Sequence, residues 1–316
     1  MKKTDSTLAP KGRKWRKVPQ QWQLHLLIFL PVVYILIFHY WPMYGAQIAF
    51  RDYRAKLGIF GSEWVGMKWF HKFFTSYDFW EILNNTLMIS LYQIIMGFPI
   101  PVVFALMINA IPSERFKKVT QSVAYMPHFI STVVLVSIVN MIFNPVNGLY
   151  GTLFRFLGGD GYPYDFRGMA NTFRHFYVWS GIWQNLGWDT IIYTAALSSV
   201  SHDQHEAAML DGASRWKRII HVDLPTILPT IGIMLIMRCG RVMSIGFEKV
   251  YLMQSELNLS TSEIISTYVY KVGMGSSRDF SFGAAIGLFN SVINCILLII
   301  VNWISKQVSK KEVSLF

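Results

Sequence analysis

The chain has 316 residues, of which 53% are hydrophobic, 16% aromatic and only 15% charged, with a formal net charge of +11. A soluble domain carries roughly 25% charged residues, so this composition, with its positive mean hydropathy, excludes an ordinary soluble protein and points to an integral membrane protein. The positive charge does not point to nucleic acid, because aromatic stacking platforms and base-reading motifs are absent around the basic N-terminal tail.

Seven of the Lys and Arg residues lie between Lys2 and Lys17, against the single acid Asp5. A basic tail before an apolar run reads as a cytoplasmic anchor. The run from Leu24 to Tyr44 is too long for a signal-peptide core and no small-x-small cleavage site follows it, so it is expected to stay as a span. Apolar windows of bilayer length, about 20 residues, then follow in chain order. The predicted spans are 23–44, 83–111, 120–144, 174–198, 225–253 and 281–304. Helix is the only expected form, since backbone groups in lipid must be satisfied internally, and Pro31, Pro99 and Pro101 are expected to mark kinks. The expected organisation is a basic tail over 1–22, one six-span membrane domain over 23–304 and a short tail over 305–316. Cys239 and Cys295 both sit in apolar stretches and read as packing residues rather than a disulfide or metal pair.

The connecting segments test that count. With both ends inside, the N-tail, 112–119, 199–224 and the C-tail hold sixteen Lys and Arg, and the longer outside loops 45–82, 145–173 and 254–280 hold fewer. That asymmetry is the positive-inside pattern. The first outside loop has two readings. Trp64, Trp69, Phe70 and Phe73 either lie at headgroup level as amphipathic aromatics or belong to a connector packed on the spans.

One cytoplasmic stretch stands apart. Within 199–224, Ser201-His202-Asp203 can cap a short helix carrying Glu206, Ala207 and Ala208. Asp211-Gly212 can end it, because glycine enters the left-handed region cheaply. Residues Ala213 to His221 can form a second short helix, and Pro225 suits the first turn of the next span. The small pair Ala207-Ala208 and the Glu206 carboxylate suit docking to another surface. The other reading is an interfacial helix whose Arg215, Lys217 and Arg218 meet anionic headgroups.

Glu206-Ala207-Ala208, three residues, Gly212, nine residues, Val222-x-Leu224-Pro225 resembles the signature of permease subunits of ATP-binding-cassette importers, with Val222 in place of isoleucine as the one departure. "FHYWPMYGAQIAFRDY", "WVGMKWF", "YMPHFIS", "WQNLGWDTIIYTAAL", "VGMGSSRDFSFGAAIGLF" and the terminal "SLF" are similar to the polysaccharide and oligosaccharide branch of the binding-protein-dependent carbohydrate permeases. The resemblance implies an all-α, six-span type I importer permease fold in the bacterial cytoplasmic membrane. In that family the 199–224 loop is the coupling helix. Glu206, Ala207, Ala208, Asp211, Gly212, Leu224 and Pro225 are then the residues expected to meet a cytoplasmic ATPase. The implied partners are a second permease, two ATPase subunits, an extracytoplasmic solute-binding protein, membrane lipid and a carbohydrate substrate. No cofactor is expected in this chain, ATP and magnesium being held by the ATPase. The chain carries no G-x-x-x-x-G-K-[ST] loop, and "GMGSSRDF" lacks both the lysine and a preceding strand. Neither HExxH nor Gly-x-Ser-x-Gly occurs, so the expectation is a transport subunit and not an enzyme.

Ionisable side chains inside spans are costly and mark function by default. Asp189 in span four, and Arg238 and Arg241 in span five, stand out. Arg238 and Arg241 are three apart and expected on one helical face. Either these groups line a water-filled cavity and bind sugar hydroxyls or carboxylates, or Asp189 neutralises Arg238 and locks two spans. Trp183, Gln184, Asn185 and Trp188 suit sugar stacking and hydrogen bonding, and equally suit interhelical packing. The leading expectation is import of an oligosaccharide, acidic ones included, by alternating access. The alternatives are a permease for a peptide or phosphate, and an ion-driven transporter with Asp189 as its proton or sodium site.

Overall fold

A computed structural model describes residues 22–275 and 278–308. The basic tail through Lys17, Ser276-Ser277, Lys310, Lys311 and the terminal Ser314-Leu315-Phe316 lie outside the described residues. Almost everything described is helical. Four helices are long and apolar enough to cross a membrane: Trp22–Phe50, Phe79–Asn109, Arg215–Cys239 and Phe280–Lys306, and a fifth crossing arises if a bent pair is one span. The helix Ala170–Leu197 has 28 residues, about 42 Å at the usual rise. Arg174, His175, Gln184, Asn185 and Asp189 along it keep it from being uniformly apolar.

The expected spans differ in form at three points. The 120–144 window is a bent pair: Glu114–Phe129 and Thr132–Ile142 meet at 99°. The bend falls where Pro127 and the Ser131 cap interrupt the ladder, and the Ser131 side chain accepts from Val134 N. The 225–253 window is two helices, Leu224–Cys239 and Phe247–Met253, separated by a turn. Hydropathy merges them because the turn contains Met243 and Ile245, which are themselves buried core residues. Third, the crossing helix does not begin at Pro225. It runs on from Arg215 through a π turn, Ile219–Asp223, in which Leu224 N reaches back to Ile219 O. A wide turn just before a proline relieves the clash of its ring with the preceding carbonyls. The same device recurs at Leu36–Tyr40, before Pro42.

Three apolar clusters succeed one another along Phe79–Asn109. The first joins Phe79 and Ile82 to Trp69, Phe70, Phe73, Ile265, Phe282 and Ile286. The second joins Ile89 to Phe173, Tyr177, Ile245 and Ile264. The third joins Val102, Ala105 and Leu106 to Tyr193, Leu197 and Ile227. Trp69, Phe70 and Phe73 are therefore core, which decides the first outside loop in favour of a packed connector, while Trp64 is 58% exposed and stacks on Phe50. A two-residue antiparallel ladder, Arg51–Asp52 with Glu63–Trp64, folds this connector, and Tyr53 N donates to Ser281 Oγ at 2.8 Å to fasten it to the last helix. In the second outside loop Arg167 forks onto Asp165 at 2.8 and 2.6 Å. That hydrogen bonding holds the Asp165 carboxyl below the usual carboxylate range.

Gly187 marks the closest helix crossing. A Cβ there would lie 2.2 Å from the carbonyl oxygen of Ala124, a backbone atom that cannot swing aside. Replacing Gly187 with alanine is expected to lower the unfolding midpoint of the detergent-solubilised chain, with an overpacking cost of about 1–3 kcal/mol. An unchanged midpoint would mean that the two helices do not cross there.

Candidate functional site

The charged residues gather between the second and third apolar clusters. Ser90, Gln93 and Ile94 from Phe79–Gly97, Asp189 from Ala170–Leu197, and Met234, Met237, Arg238, Arg241, Val242 and Ser244 from the broken fifth span line a cavity of about 360 Å³. Arg238 and Asp189 form an ion pair at its wall. A smaller cavity of about 190 Å³ shares Gln93, Asp189 and Arg238 and continues to Gly181 and Asn185. The ion pair thus lines both polar spaces.

The break in the fifth span builds this site. Its helix ends at Cys239 with Gly240 as the cap, and a Cβ at Gly240 would meet Leu298 Cδ1 at 2.7 Å. The turn that follows is held from both sides. Ser90 Oγ donates to the carbonyl of Val242. Asn294 on the last helix accepts from Met243 N at 3.0 Å and donates to Ser244 Oγ at 2.9 Å. Non-helical backbone at membrane depth is tolerated where protein satisfies it or where it lines a cavity, and here both hold. Arg241 consequently lies in the turn and not on a helical face with Arg238. Both still reach the same cavity, with Arg241 exposed.

The aromatic and amide candidates divide differently. Trp188 stacks on His128 with centroids 4.3 Å apart. Asn185 Oδ1 lies 3.0 Å from His128 Nδ1, and Gln184 donates to Ile130 O at 2.8 Å. These three fasten the bend of the third span, as packing residues do, although Asn185 also touches the smaller cavity. Trp183 faces a separate apolar cavity of about 590 Å³ between Thr132–Ile142 and Ala170–Leu197.

Sequence reasoning misses several residues. Ser90, Gln93 and Asn294 are uncharged and carry no motif. Lys249 does carry a signal, since it falls inside the expected 225–253 span. Its Nζ donates to Tyr177 O at 2.7 Å, lies 4.7 Å from the centre of the Tyr177 ring, and sits beside Gly181. Among the described residues no carboxylate pairs with Arg241 or Lys249. Two arginines therefore share these spaces with one carboxylate, a lining suited to hydroxyl-rich or anionic groups.

At the other end of the bundle, Ser201 caps His202–Leu210 by accepting from Asp203 N. Gly212 takes φ 73°, Ala213 N returns to Ala208 O at 2.9 Å, and Ser214 caps Arg215–Arg218. Glu206, Ala207, Asp211, Gly212 and Pro225 are exposed, Ala208 is half-buried, and Leu224 packs on the third cluster.

Long apolar helices around a charged cavity at a helix break, with a capped polar helix-turn-helix at one end, define a membrane permease. The chain belongs to the family described as binding-protein-dependent transport system inner membrane component, which it matches over residues 82–310. It is 40% identical to Protein LplB of Bacillus subtilis (strain 168) over 97% of this chain and 96% of that one. It is 37% identical to the polygalacturonan/rhamnogalacturonan transport system permease protein YteP of the same organism over 98% and 96% of the two chains. Among solved structures it is similar to a chain of a bacterial ABC transporter involved in the import of the acidic polysaccharide alginate, with a TM-score of 0.83 and 33% identity over 93% of this chain and 99% of that one. A second structure of a bacterial alginate ABC transporter, in complex with alginate pentasaccharide-bound periplasmic protein, gives 0.84 at 33% identity over 94% and 99%. The protein is accordingly a multi-pass inner-membrane transport subunit with the type I importer permease fold, and ATP hydrolysis belongs to a separate subunit.

The Arg238–Asp189 pair can be weighed by a double-mutant cycle of Asp189→Asn and Arg238→Gln read by thermal unfolding. The side chains are 29% and 34% exposed, short of full burial, so a coupling of about 1–3 kcal/mol is expected. A coupling near zero would reduce the pair to two independent cavity residues.

Proposed function

We propose that this chain is one of two permeases of an ATP-driven importer that carries an acidic oligosaccharide inward by alternating access. The observation that carries the reading is the lining of the cavities, where the guanidinium groups of Arg238 and Arg241 accompany the single carboxylate Asp189. Guanidinium groups match carboxylates in planar, bidentate fashion, so a uronate-containing chain suits this lining. YteP is a polygalacturonan/rhamnogalacturonan permease and the alginate importer carries an acidic polysaccharide, which supports the same class. The ion-driven alternative fails on two counts: the chain belongs to a binding-protein-dependent family, and Asp189 is occupied by Arg238.

In this reading the chain crosses the membrane six times, the bent pair and Ala170–Leu197 included, with both ends cytoplasmic. The 199–224 loop docks on an ATPase, one of two in the complex, and those subunits bind ATP and magnesium. Its outward surface suits docking, with Leu210 90% and Trp216 71% exposed beside Glu206. A second permease is supported by the N-terminal helix, none of whose residues is buried within this chain. An extracytoplasmic binding protein delivers the sugar to the opposite end.

Two outcomes test the reading. Arg241→Ala is expected to reduce uptake of an oligogalacturonate by about ten-fold or more, the loss of one hydrogen bond between charged groups, while the complex still assembles. Unchanged uptake would remove Arg241 from the pathway. Glu206→Ala is expected to weaken retention of the co-purified ATPase by about 1.5–3 kcal/mol with membrane insertion intact, and undiminished retention would remove Glu206 from the docking surface.

A further inference from the structure

The helix His202–Leu210 has no buried residue, and none of its residues joins any of the three apolar clusters. A cavity of about 480 Å³, lined in part by Pro112, Glu114 and Arg215, separates it from the bundle. One polar contact crosses that space. His205 Nε2 stands 3.0 Å from Oδ1 of Asp223, and the same oxygen accepts from Asn109 Nδ2 at 3.4 Å. Asp223 is only 3% exposed, so its carboxylate depends on these partners. Asn109 ends the helix that bears Ser90 and Gln93. Asp223 lies in the π turn at the root of the helix that bears Arg238. A single carboxylate therefore ties His202–Leu210 to two of the helices that line the charged cavity.

We propose that His205 and Asp223 form the latch through which movement of the coupling helix is passed to the cavity, His205 and Asp223 being positioning residues; the proposal rests on the reading that 199–224 docks on an ATPase. Without the latch the helix is joined to the bundle only through its two chain ends, one of which contains the left-handed turn at Gly212. A push from the cytoplasmic side then rotates the helix about its ends. With the latch, the push is delivered to the π turn, and the continuous helix above it carries the displacement about 22 Å to Arg238.

The test uses the assembled complex of this chain with its partner permease, ATPase and binding protein in nanodiscs, with Cys239 and Cys295 replaced by serine in every variant. Spin labels at Leu210 and Met107 read the resting latch, and labels at Met237 and Ile95 read the cavity before and after trapping with ATP and vanadate. In His205→Ala the resting distance is expected to broaden, ATP hydrolysis to continue, and the trapped cavity population to fall by about ten-fold, the factor that one hydrogen bond to a charged group represents. His205→Gln, which keeps a donor, is expected to restore both distances. Asp223→Asn, which keeps an acceptor for both partners, serves as the second conservative variant. Unchanged distances in His205→Ala would overturn the latch, as would loss of ATP hydrolysis in step with the cavity response, the mark of a merely structural role. Should the wild-type chain retain no ATPase, the docking reading fails, and the resting Leu210–Met107 distance still decides whether His205 holds the helix.

Discussion

Between Cys239 and Phe247 the chain leaves the helical path inside the membrane domain, and the backbone groups freed there cannot turn to lipid. Ser90 and Asn294 take them up from two different helices. The rest of the site follows from that constraint. Because the helix stops at Gly240, Arg241 turns into the cavity, and a polar space opens where a continuous span would have filled the interior. Arg238, on the last helical turn, then pairs with Asp189 at the wall of that space, and the paired charges line it without an uncompensated carboxylate. Replacing the turn with regular helix would close the cavity and leave Ser90 and Asn294 without their partners.

The Ala170–Leu197 helix has the most demanding surroundings. Phe173, Tyr177 and Tyr193 on it belong to apolar clusters at two levels. Gly187 brings its backbone against Ala124, and Gln184, Asn185 and Trp188 hold the bend of the third span. Asp189 faces the cavity. A helix enclosed on so many sides has little need of uniform hydrophobicity, because its polar groups are met by protein rather than lipid. Its mixed composition reflects its position in the bundle.

Rigidity is unevenly distributed along the molecule. One end is closed by interlocking aromatic rings, Phe73, Phe79, Phe282 and Phe289 among them. The opposite end has the third cluster, and beyond it a helix, His202–Leu210, that joins none of the apolar clusters. Close-packed interiors pass on displacement without absorbing it. A polar tether can be re-formed in a second arrangement at small cost.

By itself the sequence determined the class of protein, the approximate place of the long apolar segments, and the capped helix-turn-helix at Ser201 to Arg218. These depend on composition, period and capping chemistry, all of which are local. It also marked Asp189, Arg238 and Arg241, because a charge in an apolar run is visible without any fold. Only the tertiary structure decided that the third span bends and the fifth breaks, since Met243 and Ile245 are as apolar in a turn as in a helix. The tertiary structure likewise sent Trp183 away from the ion pair, stacked Trp188 on His128, and brought Gln93 and Asn294 to the site. The pairing of His205 with Asp223 and Asn109 was equally invisible, because a contact between distant residues is set by how helices cross, and no local pattern records the crossing.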